Sequence, residues 1–441
     1  MSDTEAKAAP VAPHEKAIGF WGCWAFSVGT MIGTGIFMMP AILAPYGGLS
    51  FGGWLLTAAG SIAIALSIAR LAARTTRTGG MQIYVQDAFG KLPGFLVGWA
   101  NWVTCVISTP ALAIGFVGYL NAVVPGLANA PVYQAVVAVA LIWTLTLILA
   151  CGVKEAGFVQ LLLTVLKLSP LVLVIGWGFV GGKAENLPPL NPKGDGTLAV
   201  LSATALLTMY AFLGLEVGGM PAGNVVNPTR TIPRAVVVAT LTATIVYVLS
   251  TAAVMMLVPA NLLAASTSPF ADAVRGLGAW APLVVTAGAL ISCAGSMNGN
   301  MFSGAQQSMA AALEGVAPRW LAKLNAGEAP WASLIVSSAL STALLLMNYS
   351  RGLVGAFTFL IMMTTLTCLF AYLGCALAEL KHSWRSARAW AAVAVIAAFY
   401  VVFAIFGAGQ EPLIWGAVLI ALGVPVYYLG RQRAVAIPAP A

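Results

Sequence analysis

An all-α membrane fold of twelve transmembrane helices is what this sequence predicts, on three observations. Apolar residues make up 60% of the chain and charged residues only 8%, against about 25% charged in a soluble domain. Such a chain lacks the polar surface to face water on all sides. Apolar runs of about 20 residues, the length that crosses a hydrocarbon core, recur from end to end. Glycine interrupts two of these runs near their centres, half a chain apart. Broken apolar helices at corresponding places in two halves point to the binding site of a secondary transporter.

The spans fall at roughly 18–45, 49–73, 93–123, 131–150, 156–181, 198–223, 235–258, 280–310, 330–348, 352–378, 387–408 and 412–430. Residues 18–430 thus form a single transmembrane domain. Five crossings separate span 1 from span 6, so the segments at about 18–181 and 198–378 are expected to be inverted repeats of five helices each, with helices 1 and 6 broken. Helices 11 and 12 follow. Residues 1–17 are polar and read as a disordered tail, since they lack the apolar centre of a cleavable signal. Residues 431–441 form a second tail. Gly47-Gly48, Gly79-Gly80 and Asn227-Pro228 mark turns, and the prolines of the 181–196 loop (Pro188, Pro189, Pro192) argue against a helix there.

The charges give the direction. With the N-terminus inside, the outer loops hold only Lys183, Lys193, Arg275 and Arg351, and Lys167 lies within span 5. The remainder of the 21 Lys and Arg residues fall in inner loops and tails. This asymmetry places both termini in the cytoplasm and the chain in the cell (inner) membrane. It also explains the net charge of +8 without nucleic acid.

Other chemistries find little support. The six cysteines are scattered through apolar segments with no CxxC, and the two histidines, His14 and His382, lie in a tail and a loop. Neither a disulfide framework nor a metal site is expected, and no cofactor motif is present. A membrane-embedded enzyme would need a nucleophile or base constellation, and a channel a filter-like repeat. The sequence offers neither.

The two breaks carry the candidate chemistry. Unpaired backbone groups in hydrocarbon cost several kcal/mol (roughly, from transfer data), so a break persists only where protein, water or solute satisfies them. In span 1, Met31-Ile32-Gly33-Thr34-Gly35 gives a freely turning backbone before Ile36-Phe37-Met38 restarts the helix. The N–H groups of the restarted half, with the Thr34 hydroxyl, suit a carboxylate. Carbonyls near Met31 and Ile32, and near Tyr210, Ala211 and Leu213 in span 6, suit an ammonium group. Together they describe a site for an α-amino acid. A single glycine pair would equally serve close helix packing; two breaks at corresponding positions favour the site.

Two ionisable groups lie inside spans: Glu216 beside the second break, and Lys167. Each costs roughly 2.5–3.5 kcal/mol at mid-membrane. Glu216 is the candidate for coupling or gating. Lys167 is a candidate fixed cation where a sodium-dependent relative would hold its ion. Each also has a structural alternative, Glu216 bonding unwound backbone and Lys167 snorkelling. Tyr210, Trp99 and Trp102 are aromatic candidates for lining the pocket.

At these residues the chain resembles the amino acid–polyamine–organocation family, in its basic amino acid/polyamine antiporter branch. Gly29-Thr30-Met31-Ile32-Gly33-Thr34-Gly35-Ile36-Phe37-Met38-Met39-Pro40 resembles the first-helix signature. Tyr210-Ala211-Phe212-Leu213-Gly214-Leu215-Glu216 resembles the sixth, and Asn227-Pro228-Thr229-Arg230-Thr231-Ile232-Pro233 the loop after it. Ser268-Pro269-Phe270-Ala271-Asp272-Ala273 and Phe406-Gly407-Ala408-Gly409-Gln410-Glu411 also fit. The resemblance implies a five-plus-five inverted-repeat bundle and alternating access. It implies that Thr34 and Gly35 meet a substrate carboxylate and that Met31, Tyr210 and Leu213 surround the α-amino group. Glu216 would take part in coupling, and Lys167 would replace a sodium site.

The chain departs from the arginine–agmatine pattern at Thr109 (asparagine there), at Asn300 (a stacking tryptophan there) and near Ile361–Met363 (polar there). Gly79-Gly80-Met81, Tyr84 and Asp87-Ala88 look more like the putrescine–ornithine carrier. The expected function is exchange of amino acids, including basic amino acids or polyamines, across the membrane. Proton–amino acid symport is the alternative that Lys167 favours, and a homodimer is compatible with the sequence.

Overall fold

The computed structural model describes residues 19–74, 80–151, 157–215, 227–313, 315–325 and 329–430. Among these residues every regular element is helical. In order they are α1 (Phe20–Met31), α2 (Thr34–Leu43), α3 (Leu49–Ala72), α4 (Met81–Phe89), α5 (Lys91–Val123) and α6 (Pro125–Ala128). Then come α7 (Pro131–Ala150), α8 (Gly157–Gly181), α9 (Thr197–Phe212), α10 (Pro228–Leu257), α11 (Ala260–Leu263) and α12 (Pro269–Ala273). The last are α13 (Trp280–Leu313), α14 (Trp331–Asn348), α15 (Leu353–Ser383), α16 (Arg388–Phe406), α17 (Gln410–Ala421) and α18 (Gly423–Gly430).

Nine of the described helices are long and apolar enough to cross a membrane, counting α17 with α18 as one. The pair α1 and α2 passes the same test together, bent by 49° at its break. α9 is apolar but has only 16 residues, short of the ~20 needed to span alone. The multi-pass membrane class follows from these lengths and compositions.

Several boundaries differ from the sequence expectation for one reason: helices outlast the hydrocarbon wherever tertiary partners continue. α15 runs to Ser383, because its last turns carry the buried Glu379 into an ion pair with Arg70 at the end of α3 (2.9 Å). Arg74 reaches the same carboxylate oxygen at 3.3 Å, and Ser383 hydrogen-bonds it as well. The short helix α4, not anticipated behind Gly79-Gly80, starts after Gly80 at φ +57. It is held by Lys381, whose amine donates to the Ala88 carbonyl (2.6 Å), and by Gln307, which donates to Gln82 (3.1 Å). The 181–196 loop contains one 3₁₀ turn, Ala184–Asn186.

The helices pack as two groups. α3 packs on α9 and α10, and α10 on α1, while α5 packs with α7, α13 and α14. α8 touches both groups, through α1 and α10 on one side and α13 on the other. α15 does the same, through α3 and α9 on one side and α5 on the other.

Candidate functional site at the helix interruptions

α1 stops at Met31, and α2 restarts at Thr34 behind Gly33, whose backbone is extended (φ −124, ψ −152). Gly33 is therefore not required by its dihedrals. A Cβ there would lie 2.8 Å from Ser296 Oγ of α13, so glycine permits close approach. Gly35 is not part of the turn, as the sequence suggested, but sits inside α2. Its missing side chain lets α2 lie against α9, since a Cβ would come 3.1 Å from the Tyr210 ring and 3.2 Å from Ala211 Cα. α9 ends at Phe212; Leu213 turns into extended backbone and Gly214 adopts φ +97, the left-handed region that favours glycine. No side chain caps the N-terminus of α2, so its first-turn N–H groups carry unscreened positive partial charge.

The two interruptions touch. The Thr30 hydroxyl donates to Ser27 O at 2.9 Å and lies 3.3 Å from Gly214 O. Tyr247 of α10 places its hydroxyl 2.8 Å from Met31 O and 2.8 Å from Ala211 O, one carbonyl from each interruption. The tyrosine ring is fully buried against Trp54 and Phe212. The Met31 and Ala211 carbonyls assigned from sequence to an ammonium group thus share a protein donor here.

Beside this junction lie two buried hydroxyls that close no well-formed hydrogen bond, Thr34 Oγ1 and Tyr210 Oη. Thr34 faces the Cys293 thiol, and its methyl group occupies the space left by Gly115 on α5, where a Cβ would come within 2.5 Å. Tyr210 meets Phe357 edge-on, with ring centroids 6.1 Å apart, and its hydroxyl lies near Ser108 without closing a well-formed bond. Polar atoms left unpaired in a low-dielectric interior cost about 1–3 kcal/mol each. Such sites in a native protein call for an explanation, and a bound solute is one. Ile32 is fully buried beside them, and Leu213 is half-buried.

Lys167, 3% exposed, lies on α8 with its amine within van der Waals reach of Gly295 and in electrostatic contact with Cys293. It therefore approaches the junction from the α13 side. Asn300, also on α13, is bonded to α5: its amide donates to Cys105 O (2.8 Å) and to Thr109 Oγ1 (3.1 Å). α5 contains Pro110, which deprives the Val106 carbonyl of its helical partner; Ser341 supplies a donor instead at 2.8 Å. A cavity of about 10 Å³, the size of one water, adjoins Thr109, Met301, Leu334 and three serines. Glu216 lies outside the described residues.

Trp99 and Trp102 do not reach the junction. Trp99 donates to Leu419 O of α17 (2.8 Å) and Trp102 to Ser337 of α14 (3.1 Å). The sequence reading missed Tyr247, Cys293, Ser296 and Phe357. Only the small-residue stretch Cys293-Ala294-Gly295-Ser296 could have signalled a close approach to α13.

An apolar helical bundle whose interrupted helices meet around unpaired polar groups defines a membrane carrier. The family model described as amino acid permease matches residues 18–429, and the chain belongs to that family. Similar proteins include the putrescine transporter PotE of Haemophilus influenzae, 31% identical over 406 residues (90% of this chain, 93% of that one). PotE of Escherichia coli is 29% identical over 414 residues (91% and 93%). The cadaverine/lysine antiporter of Escherichia coli is 32% identical over 349 residues (76% and 77%). As a member of a permease family the chain is a transporter and not an enzyme.

Proposed function

We propose that the protein exchanges basic amino acids and the diamines related to them by alternating access, with the solute held where the two interruptions meet. The observation that carries this reading is the junction itself: an uncapped helix N-terminus and two buried hydroxyls without a well-formed bond, Thr34 and Tyr210, beside carbonyls converging from Met31 and Ala211. Donors on one side suit a carboxylate and acceptors on the other suit an ammonium group. The names of the relatives, putrescine, cadaverine and lysine carriers, support the solute class.

Met31, Ile32, Gly33, Thr34 and Gly35 from the first interruption and Tyr210, Ala211 and Leu213 from the second form the substrate site in this reading. Asn300 and Thr109 set the end of the pocket away from the α-carbon. Lys167 serves as a fixed cation and Glu216 as the coupling group. The architecture proposed is twelve spans in two inverted five-helix repeats, with both termini cytoplasmic. The matching positions of α8 and α15, each bridging both helix groups, support it, since they are the fifth spans of their halves.

Proteoliposomes provide the test. Uptake of radiolabelled lysine, putrescine and cadaverine is expected to require unlabelled amine inside the vesicles. Uptake driven by a pH gradient into empty vesicles would replace exchange with symport, and no uptake of any amine would overturn the reading. Glu216→Gln is expected to bind solute yet exchange slowly or lose its pH response. Lys167→Ala is expected to shift the pH profile; an unchanged profile returns that lysine to a structural role.

A further inference from the structure

Two backbone carbonyls, from interruptions 180 residues apart in the chain, converge within 2.8 Å of a single oxygen, that of Tyr247. Both belong to the last turn of a helix, where carbonyls lack helical partners. A phenol has one proton to donate, so it satisfies only one of the two at any moment. The Met31 carbonyl also accepts the Gly33 N–H at 2.9 Å, whereas Ala211 O relies on the tyrosine for its long-range bond. The atom that bridges them occupies the position an ammonium nitrogen would take to bond both.

We propose that Tyr247 is a positioning residue of the exchange reaction. Its hydroxyl holds the Met31 and Ala211 carbonyls on one point, competes with the solute's ammonium group for them, and is displaced from at least one when solute binds. This inference rests on the transport reading above. In the solute-free protein the tyrosine limits the cost of two unpaired carbonyls in a dry interior. On binding, an ammonium group with three donors takes over, and on release the tyrosine returns. The residue thus weakens ground-state binding and speeds release. Its ring, packed on Trp54 and Phe212, stays in place while the hydroxyl changes partner.

The experiment is the exchange kinetics of Tyr247→Phe in proteoliposomes with radiolabelled lysine and putrescine. The variant keeps the buried ring and removes only the competing donor. A KM lowered about five-fold and a maximal rate lowered to a similar degree are expected, on the scale of one neutral hydrogen bond, which is what the phenol withdraws. A merely structural tyrosine would lower the melting temperature and the rate and leave KM unchanged; that outcome overturns the proposal. Should Tyr247→Phe not reach the membrane, 3,5-difluorotyrosine at position 247 decides. Its more acidic hydroxyl donates more strongly, so KM is expected to rise, and an unchanged or lowered KM overturns the proposal. If the wild-type protein exchanges no amine, the transport reading fails and this inference with it. If the wild type exchanges and neither variant shifts KM, only the inference fails.

Discussion

The end of α15 and the junction of α2 with α9 both bury polar groups, and the two differ in what answers them. At the joined ends of α3 and α15, Glu379 is wholly buried; its Oε1 meets Arg70, Arg74 and Ser383, its Oε2 has no hydrogen-bond partner among the described residues, and Arg70 also stacks 4.6 Å above the Trp390 ring. At the junction of α2 and α9, Thr34 and Tyr210 are also enclosed, and neither hydroxyl closes a well-formed hydrogen bond: Thr34 faces only the weakly bonding Cys293 thiol and Tyr210 lies near Ser108. In the first arrangement a buried charge is neutralised by guanidinium groups of the same chain. In the second no charge of the chain is opposed, and in the proposed reading a solute completes it. A buried charge answered by opposite charge acts as a structural clamp; enclosed hydroxyls next to helix ends that aim donors and acceptors inward are what the proposed site offers.

The comparison breaks if stability and transport respond alike in both regions. The largest effect is expected from Glu379→Ala. Removing one partner of a buried ion pair costs about 3–5 kcal/mol, and the partial exposure of Arg70 and Arg74 brings the figure to the lower end. Thermal unfolding in detergent should show a melting temperature lower by several degrees. The KM of the surviving protein should be unchanged. An unaltered melting temperature would mean that water already screens the pair.

Thr34→Val should show the reverse pattern. The hydroxyl has only the weakly bonding Cys293 thiol to lose, so the melting temperature should hold or rise. The solute loses a donor, and KM should rise roughly ten-fold. A variant that melts early with normal KM would make Thr34 a packing residue and remove the contrast. Gly35→Ala sharpens the same point by sterics. Its Cβ would press on the Tyr210 ring at 3.1 Å and on Ala211 Cα at 3.2 Å, prising α2 from α9. Exchange should slow by about ten-fold, as overpacking costs of about 1–3 kcal/mol imply; unchanged exchange would show that the two helices need not touch.

How much of this was legible beforehand depends on the range of the cause. The ends of α1 and α9 were visible because glycine and a loss of apolar continuity act locally. The reason for Gly35 was not: its constraint is the face of Tyr210, a neighbour 175 positions away. Tyr247 gave no signal at all, since an aromatic residue in an apolar span is read as core, and only the fold brings its hydroxyl to two carbonyls. Cys293 stands in an apolar segment with no motif around it, yet it lies between Thr34 and Lys167. The extension of α15 escaped the hydropathy reading because the carboxylate of Glu379, which ends an apolar window, is the group that keeps the helix going.

The smallest effect, and the finest test of the contrast, concerns Asn300, which belongs to both categories. Its amide is satisfied by Cys105 O and Thr109 Oγ1, as in the clamp, but it lies on the helix that also presents Ser296 and Cys293 to the junction. If the amide only ties α13 to α5, Asn300→Ala should lower the melting temperature by an amount near one hydrogen bond, about 1 kcal/mol, and change KM equally for every solute. If it also borders the solute, KM for lysine and for putrescine should diverge by about three-fold, because five carbons separate the two amines of lysine and four those of putrescine, so the terminal amine reaches Asn300 to different extents. Equal shifts place Asn300 with Glu379; divergent shifts place it with Thr34. Divergence is expected, since the Asn300 carbonyl oxygen remains a spare acceptor once its amide nitrogen is engaged, and a diamine and an amino acid would use it to different extents.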